Sequence, residues 1–167
     1  MGCTRSRGSR GFQCLASSPR PGEPGRYPSS SMLTLDSIKS RFYELTRQVD
    51  APNATFRTTP GHDGSTHCEC DDVAYHCIVT ERGQEIERRS SSDPDEILYW
   101  LISDVTWGMA INYELRNRDT TSVNRIDGRR VWMPYQVSLL KKVDEQWADR
   151  KQFEHDAMLS THPYNDG

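Results

Sequence analysis

The sequence predicts an α+β fold with an N-terminal helix, a small antiparallel β-sheet, and then a long buried helix and two further C-terminal helices. Three observations support this fold class. Apolar residues recur every three or four positions over residues 35–49 and again over residues 97–111, which is the spacing of helices with one buried face. Between these two segments, Val73–Thr80 is rich in β-branched and aromatic residues, as is typical of a strand.

The first helix is predicted over residues 35–49, and Pro52 ends it. Its apolar face comprises Leu35, Ile38, Phe42, Leu45 and Val49. Thr55–Thr59 is a short β-prone run, and the proline and glycine residues of Pro60–Gly64 predict a turn after it. These residues lead from the first helix into the sheet.

A hairpin forms the centre of the predicted sheet. Val73–Thr80 is the strongest strand signal in the chain, and Glu81–Gln84 has the composition of a hairpin loop. Glu85–Ser91 is polar, so we expect it to pair back as an edge strand.

The longest helix has a clear start signal. Asp93 is a good N-cap, Pro94 suits the first helical position, and Glu96 completes the spacing of a capping box. Two adjacent apolar stripes follow, one made of Ile97, Leu98, Leu101, Val105 and Met109 and the other of Trp100, Trp107 and Ile111. We therefore expect this helix to be buried over much of its circumference. It ends among the cations of residues 116–118, which suit a helix C-terminus.

Two further helices complete the prediction. One runs from about Arg130 to Val143, where Pro134 fits only if it lies in the first turn. Asp144 caps the other, and Pro163 ends it. The apolar residues of this last helix are Trp147, Phe153, Met158 and Leu159.

The charge is divided unevenly along the chain. Residues 1–31 are rich in arginine, serine, glycine and proline and carry a net charge of +4, so residues 32–167 carry −7 of the total of −3. We predict a disordered basic leader over 1–31 and an α+β domain over 32–167, with translation starting at Met32. In the alternative, Gly2 and Cys3 lie in a pattern for N-terminal acylation, which would make the chain a lipid-anchored adaptor.

The composition also limits the function. No apolar run approaches the roughly 18 residues of a membrane span, and no signal peptide is evident, so we predict a cytoplasmic protein without a membrane partner. The five cysteines are an odd number, which favours reduced thiols. An acidic domain is repelled by nucleic acid and attracted to a basic protein.

One cluster has residues of the kinds that bind metals, namely His67, Cys68, Cys70 and Cys77. Zinc sites usually have Cys-x-x-Cys spacing, whereas Cys68 and Cys70 are separated by a single residue, so these cysteines are better explained as core or surface residues of a strand. A small metal-binding protein or an enzyme that uses this cluster remains the alternative hypothesis. No serine lies in a glycine-lined nucleophile elbow, and no glycine-rich phosphate loop is present, so we predict no catalytic residues and no cofactor.

The four tryptophans all fall on predicted helices, and we expect most of them in the core. An exposed tryptophan among carboxylates would be a good interface anchor, because aromatic residues dominate binding hot spots. The candidate partner-binding residues are Trp100, Asp104, Trp107 and Glu114.

Several segments together resemble a known family. They are Tyr75–Gly83, Glu87–Ser90, Asp95–Trp100, Asp104–Thr106, Met109–Ala110, Tyr113–Arg118, Arg129–Arg130, Trp147 and His162–Asp166. In this order they resemble the immunity protein 63 family of bacterial polymorphic toxin systems. The resemblance implies a small cytosolic protein that binds and neutralises the toxin encoded beside it, and it implies no catalytic residues. The acidic domain would suit a basic toxin.

Overall fold

A computed structural model describes residues 32–118 and 126–165 of the 167-residue chain. The elements are α1 (Leu35–Gln48), β1 (Asp63–Cys70), β2 (Tyr75–Glu81), β3 (Gln84–Ser91), α2 (Pro94–Asn117), α3 (Arg129–Lys141) and α4 (Glu145–Thr161). The α+β class and the order of the elements are confirmed. The predicted leader, with its acylation pattern at Gly2 and Cys3, lies outside the described residues.

The helix α1 confirms the first predicted helix. It begins after Thr34, whose Oγ1 accepts a hydrogen bond of 3.2 Å from the amide of Ser37. Such a cap satisfies an amide that has no partner within the helix. Ile38, Phe42 and Leu45 are buried and form the first layer of the hydrophobic core.

The sheet is antiparallel with the strand order β1-β2-β3. Its hairpin confirms the predicted strand pair, but the expectation that Thr55–Thr59 is β-like is wrong. That segment is irregular and touches the sheet through one backbone hydrogen bond, from the amide of Cys68 to the carbonyl oxygen of Arg57 at 2.8 Å. The strand beside β2 is instead Asp63–Cys70, which overlaps the predicted turn Pro60–Gly64. Pairing with the buried β2 determines this strand, because strand preference depends on neighbouring strands more than on local sequence.

The start of α2 is partly as predicted. Asp93 caps the helix by accepting from the amide of Asp95 at 3.0 Å, and Pro94 is its first residue. The predicted capping box is wrong, because the Glu96 carboxylate accepts two hydrogen bonds of 2.6 and 2.7 Å from Arg150 instead. Two parallel charge-assisted bonds are stronger than a single bond to a backbone amide.

The buried side of α2 differs from the predicted stripes. Ile97, Leu98 and Leu101 are buried as expected, but Val105, Met109, Trp100 and Ile111 are only partly buried and Trp107 is exposed. The buried stripe continues through Ile102, Thr106 and Ala110. Thr106 can be buried because its hydroxyl donates to the carbonyl oxygen of Ile102 at 2.8 Å.

The opposite side of α2 faces solvent. Asp104, Trp107, Ile111 and Leu115 are spaced three or four residues apart on this side and are called the outer face of α2 below. Three of these four residues are apolar. Apolar residues that remain at the surface together are a feature of surfaces that bind a partner.

The last two helices are close to prediction. Pro134 lies at the sixth position of α3 and not in its first turn, on the exposed side, where a missing amide leaves no buried group unpaired. Asp144 caps α4 by accepting from the amide of Trp147 at 3.0 Å, as expected. Phe153 and Met158 are exposed on α4.

The start of α3 holds the C-terminal segment. Arg129 donates to both carboxylate oxygens of Asp127 and to the carbonyl oxygens of His162 and Pro163, at 2.6 and 2.8 Å. The amide of Asn165 donates to Asp127 at 3.0 Å, and the guanidinium of Arg130 lies 4.0 Å from the ring centre of Tyr164. This arrangement is called the C-terminal clasp below. The hydrogen bonds from Arg129 hold the pKa of Asp127 well below its usual range.

Gly128→Ala is expected to destabilise the protein by about 1–3 kcal/mol, because its new methyl group would overpack a buried site. A Cβ at Gly128 would lie 2.9 Å from Oε1 and 3.0 Å from Cδ of Glu114, a buried side chain that its pair with Arg118 holds in place. Gly108→Ala is the control: its Cβ would meet nothing within 4 Å, so the variant should gain about 1 kcal/mol from helix propensity. Urea unfolding of both variants measures the difference, and equal stabilities would contradict the expectation.

Candidate functional site

The outer face of α2 exposes two large apolar side chains. Trp107 is 52% exposed and Leu115 is exposed to a similar extent. Two clefts border this face, and Asp104 lines both of them. Concave surfaces beside exposed aromatic residues are common features of binding sites.

The smaller cleft has a volume of about 280 Å³ and lies among α2, α3 and α4. Trp100 and Trp107 from α2 and Trp132 from α3 line it, and we call it the tryptophan cleft. The larger cleft has a volume of about 600 Å³ and is lined by the loop Asp50–Ala54, α2 and α3. Tyr113 and Tyr135 line this second cleft, and their rings stack with centres 4.1 Å apart.

Asp104 joins α2 to the sheet at the rim of the tryptophan cleft. Its carboxylate accepts from the hydroxyl of Thr66 at 3.1 Å and from the guanidinium of Arg89 at 3.4 Å. The Arg89 guanidinium also lies 5.2 Å from the ring centre of Trp100. Desolvation raises the pKa of Asp104 although Arg89 and Thr66 act in the opposite direction, so this carboxylate lacks part of the solvation that an anion favours.

Glu154 is the centre of an ionic network on the α4 side of the cleft. Its carboxylate accepts from the hydroxyl of Tyr99 at 2.8 Å, from Lys151 at 2.5 Å and from Arg150 at 3.3 Å. The Arg150 guanidinium lies 3.9 Å from the ring centre of Tyr99. Burial and the neighbouring Glu154 raise the pKa of Tyr99, so its hydroxyl keeps its proton and acts as a donor.

A chain of hydrogen bonds fixes the polar groups in the interior of the tryptophan cleft. The side-chain amide of Gln136 donates to the carbonyl oxygen of Ser103 at 3.0 Å. Since that carbonyl can only accept, the oxygen of the Gln136 amide faces Nε2 of His155, at 3.1 Å. His155 Nε2 must therefore carry a proton and donate.

The other ring nitrogen of His155 is left without a partner. Burial, followed by the charge of Lys151, lowers the pKa of His155 although Glu154 and Asp156 act in the opposite direction, so the ring is neutral near pH 7. With the proton on Nε2, Nδ1 is a bare acceptor, and among the described residues it has no hydrogen-bond partner. Ser103 lines the same cleft, and its Oγ makes no hydrogen bond of standard geometry within the described ranges.

His155 makes stability depend on pH. Because its folded pKa lies below its ordinary value of 6.5, the unfolded chain takes up the proton first as the pH falls. The stability is therefore fully present above pH 6.5 and is lost as the pH falls toward the folded pKa. Thermal unfolding from pH 7.5 down to 5.5 should show a smaller decrease for His155→Gln than for the wild type. Parallel curves for the two proteins would contradict this assignment.

The structure separates the four predicted site residues into two places. Trp100, Asp104 and Trp107 come together around the tryptophan cleft. Glu114 lies further along α2 and is only 5% exposed, with its carboxylate bound by Arg118 at 2.6 and 2.7 Å. Arg118 itself is exposed, so Glu114 positions a surface cation.

Sequence reasoning did not identify the other cleft residues. Those that lie outside α2 and carry polar or aromatic groups of the cleft are Arg89, Trp132, Gln136, Lys151, Glu154 and His155. They belong to three different elements, and nothing in the local sequence around any of them indicates a common site. The helix spacing of α3 and the capping signal of α4 predict that these helices exist. They do not predict which face of α2 the two helices contact.

The cluster considered for metal binding is not assembled into a site. Cys68 and Cys77 face each other across β1 and β2 with their sulfur atoms 3.6 Å apart, and both are buried. Cys70 is exposed, and His67 lies 3.4 Å from Glu69. Within residues 32–118 and 126–165, no group of three or more His, Cys, Asp or Glu side chains is placed to hold a metal ion. None of the described helices is both long and apolar enough to cross a membrane.

The fold and the clefts define a small α+β domain with an aromatic cleft beside an exposed helix face. The family model for immunity protein 63 matches residues 71–157, which is more than half of the chain. The chain belongs to this family, and the resemblance seen in the sequence is confirmed. The match contains β2, β3, α2 and α3 and every residue that lines the tryptophan cleft except Met158. Comparison with curated proteins and with solved structures gave no match.

Proposed function

We propose that this chain is an immunity protein that acts in the cytoplasm by binding a cognate bacterial toxin directly and blocking it, without catalysis. Membership in the immunity protein 63 family supports a toxin as the partner. Trp107 is the observation on which the direct-binding proposal depends most. It is a large aromatic side chain that the core does not use, and such residues are frequent hot spots in interfaces.

The contact surface that we propose is the outer face of α2 with the tryptophan cleft. Trp100, Asp104 and Trp107 would contact the toxin directly. Glu114 would contribute indirectly by holding Arg118 at the surface. The charge of −7 over residues 32–167 favours a basic toxin, because opposite charges accelerate the encounter of two proteins. The proposal includes neither a nucleic acid nor a membrane as a partner.

Co-expression with the neighbouring toxin gene tests this function. Cells that express the toxin alone should stop growing, and cells that also express the full chain should grow. The two proteins should co-purify as a complex that dissociates more readily at high salt. Continued toxicity together with the absence of a complex would exclude the proposal.

A further inference from the structure

We propose that the tryptophan cleft receives an arginine side chain of the toxin; this inference rests on the proposed function. Its starting point is Nδ1 of His155. The side chain is 4% exposed, its Nε2 is committed to Gln136, and Nδ1 has no partner among the described residues. Leaving a buried acceptor unpaired is unfavourable, so a group that donates a hydrogen bond to it would gain more than it would at an ordinary surface. The Ser103 hydroxyl, which lines the same cleft and makes no hydrogen bond of standard geometry among the described residues, is a second possible acceptor.

The walls of the cleft favour a donor that is also a cation. Three of the four tryptophans line it, and the faces of aromatic rings attract positive charge. Arg89 already lies 5.2 Å from the ring centre of Trp100, so a guanidinium fits beside this wall. The described residues place no cation over the rings of Trp107 and Trp132, which leaves these rings for a partner's side chain.

The four charges that line the cleft balance one another, so they do not exclude a cationic guest. Asp104 and Glu154 present carboxylates from two different helices. Arg89 and Lys151 are engaged with these same carboxylates, at 3.4 and 2.5 Å. Each lining cation therefore has a carboxylate partner, and the aromatic rings are the groups left to attract the positive charge of a guest.

The size and shape of the cleft favour arginine over other guests. A volume of about 280 Å³ lies at the low end for ligand sites, so the cleft suits a single side chain better than a cofactor. A guanidinium is planar and more weakly hydrated than an ammonium group, and it can stack on a ring while it donates to two acceptors. A lysine would provide the charge without this planar geometry.

A titration of the free full-length chain tests the inference without the toxin. The probes are end-blocked glycine-X-glycine peptides in which X is arginine, lysine or citrulline, the last being a neutral analogue of arginine. The readout is the set of tryptophan indole signals in two-dimensional NMR spectra. The arginine peptide should shift the signals of Trp100, Trp107 and Trp132 saturably, and Trp147, which does not line the cleft, is the internal reference. We expect the citrulline and lysine peptides to bind at least about tenfold more weakly.

Two variants show whether the named groups are responsible. His155→Phe keeps an aromatic ring against Trp132 but removes the acceptor, so it should weaken binding of the arginine peptide. Trp107→Ala changes an exposed residue and should weaken the arginine peptide even if the first variant folds poorly. Equal binding of the three peptides, equal binding of lysine and arginine, or no saturable shift would each overturn the inference. If protection from the toxin persisted in that case, the proposed function would stand and only the arginine assignment would fall.

Discussion

Trp107→Ala is expected to weaken toxin binding by about 30-fold or more, which corresponds to about 2 kcal/mol, the usual threshold of a hot spot. Trp107 is 52% exposed in the free protein and belongs both to the outer face of α2 and to the lining of the tryptophan cleft. Because the core does not depend on it, the free energy of unfolding should change by less than about 0.5 kcal/mol. Isothermal titration calorimetry measures the first effect, and urea unfolding measures the second.

Phe153→Ala provides the matched control for this experiment. Phe153 is 74% exposed, lies on α4 and lines neither cleft. We expect it to bind the toxin like the wild type. If both variants bound equally well, the toxin would have to contact a different surface.

Ile102→Ala is expected to lower the free energy of unfolding by about 2–5 kcal/mol, the range found when a large core residue is truncated. Ile102 is 0% exposed and belongs to the core cluster that joins α1, α2 and the sheet. The loss combines buried apolar surface with the cavity left behind. The change should lower the melting temperature by roughly 10 °C for a domain of this size.

Ile86→Ala is the comparison for the core variant. Ile86 lies on the edge strand β3 with most of its side chain in solvent, so the same truncation should cost less than about 0.5 kcal/mol. Differential scanning calorimetry measures the decrease in melting temperature of both variants. A similar decrease in both would mean that Ile102 does not lie in a tightly packed core.

The starts of α2 and α4 were predictable because each has its own capping residue. Asp93 accepts a hydrogen bond from the amide two residues ahead, and Asp144 accepts one from the amide three residues ahead. The local sequence is therefore enough to predict where these two helices begin. The strand β1 was missed for the opposite reason. Its sequence, Asp63–Cys70, has no apolar alternation, and only the facing strand β2 makes it a strand.

The candidate site was predictable only in part. Trp100, Asp104 and Trp107 are seven residues apart at most and lie on one helix, so helical spacing was enough to group them. Helical spacing alone did not show that Glu114 is buried, because that depends on Arg118 and on the approach of Gly128. His155 could not have been added, since its role depends on the distant Gln136 and Ser103.

The C-terminal clasp has a consequence for the way the chain is made. Arg129 cannot complete its hydrogen bonds until the carbonyl group of His162, 33 residues downstream, has left the ribosome. Until then, only the hydrogen bonds of the clasp between Arg129 and Asp127 can form. A nascent chain interrupted within α4 would contain the outer face of α2 but would lack the segment that the clasp holds. Maturation of this region is therefore expected to follow synthesis of α4 instead of keeping pace with it.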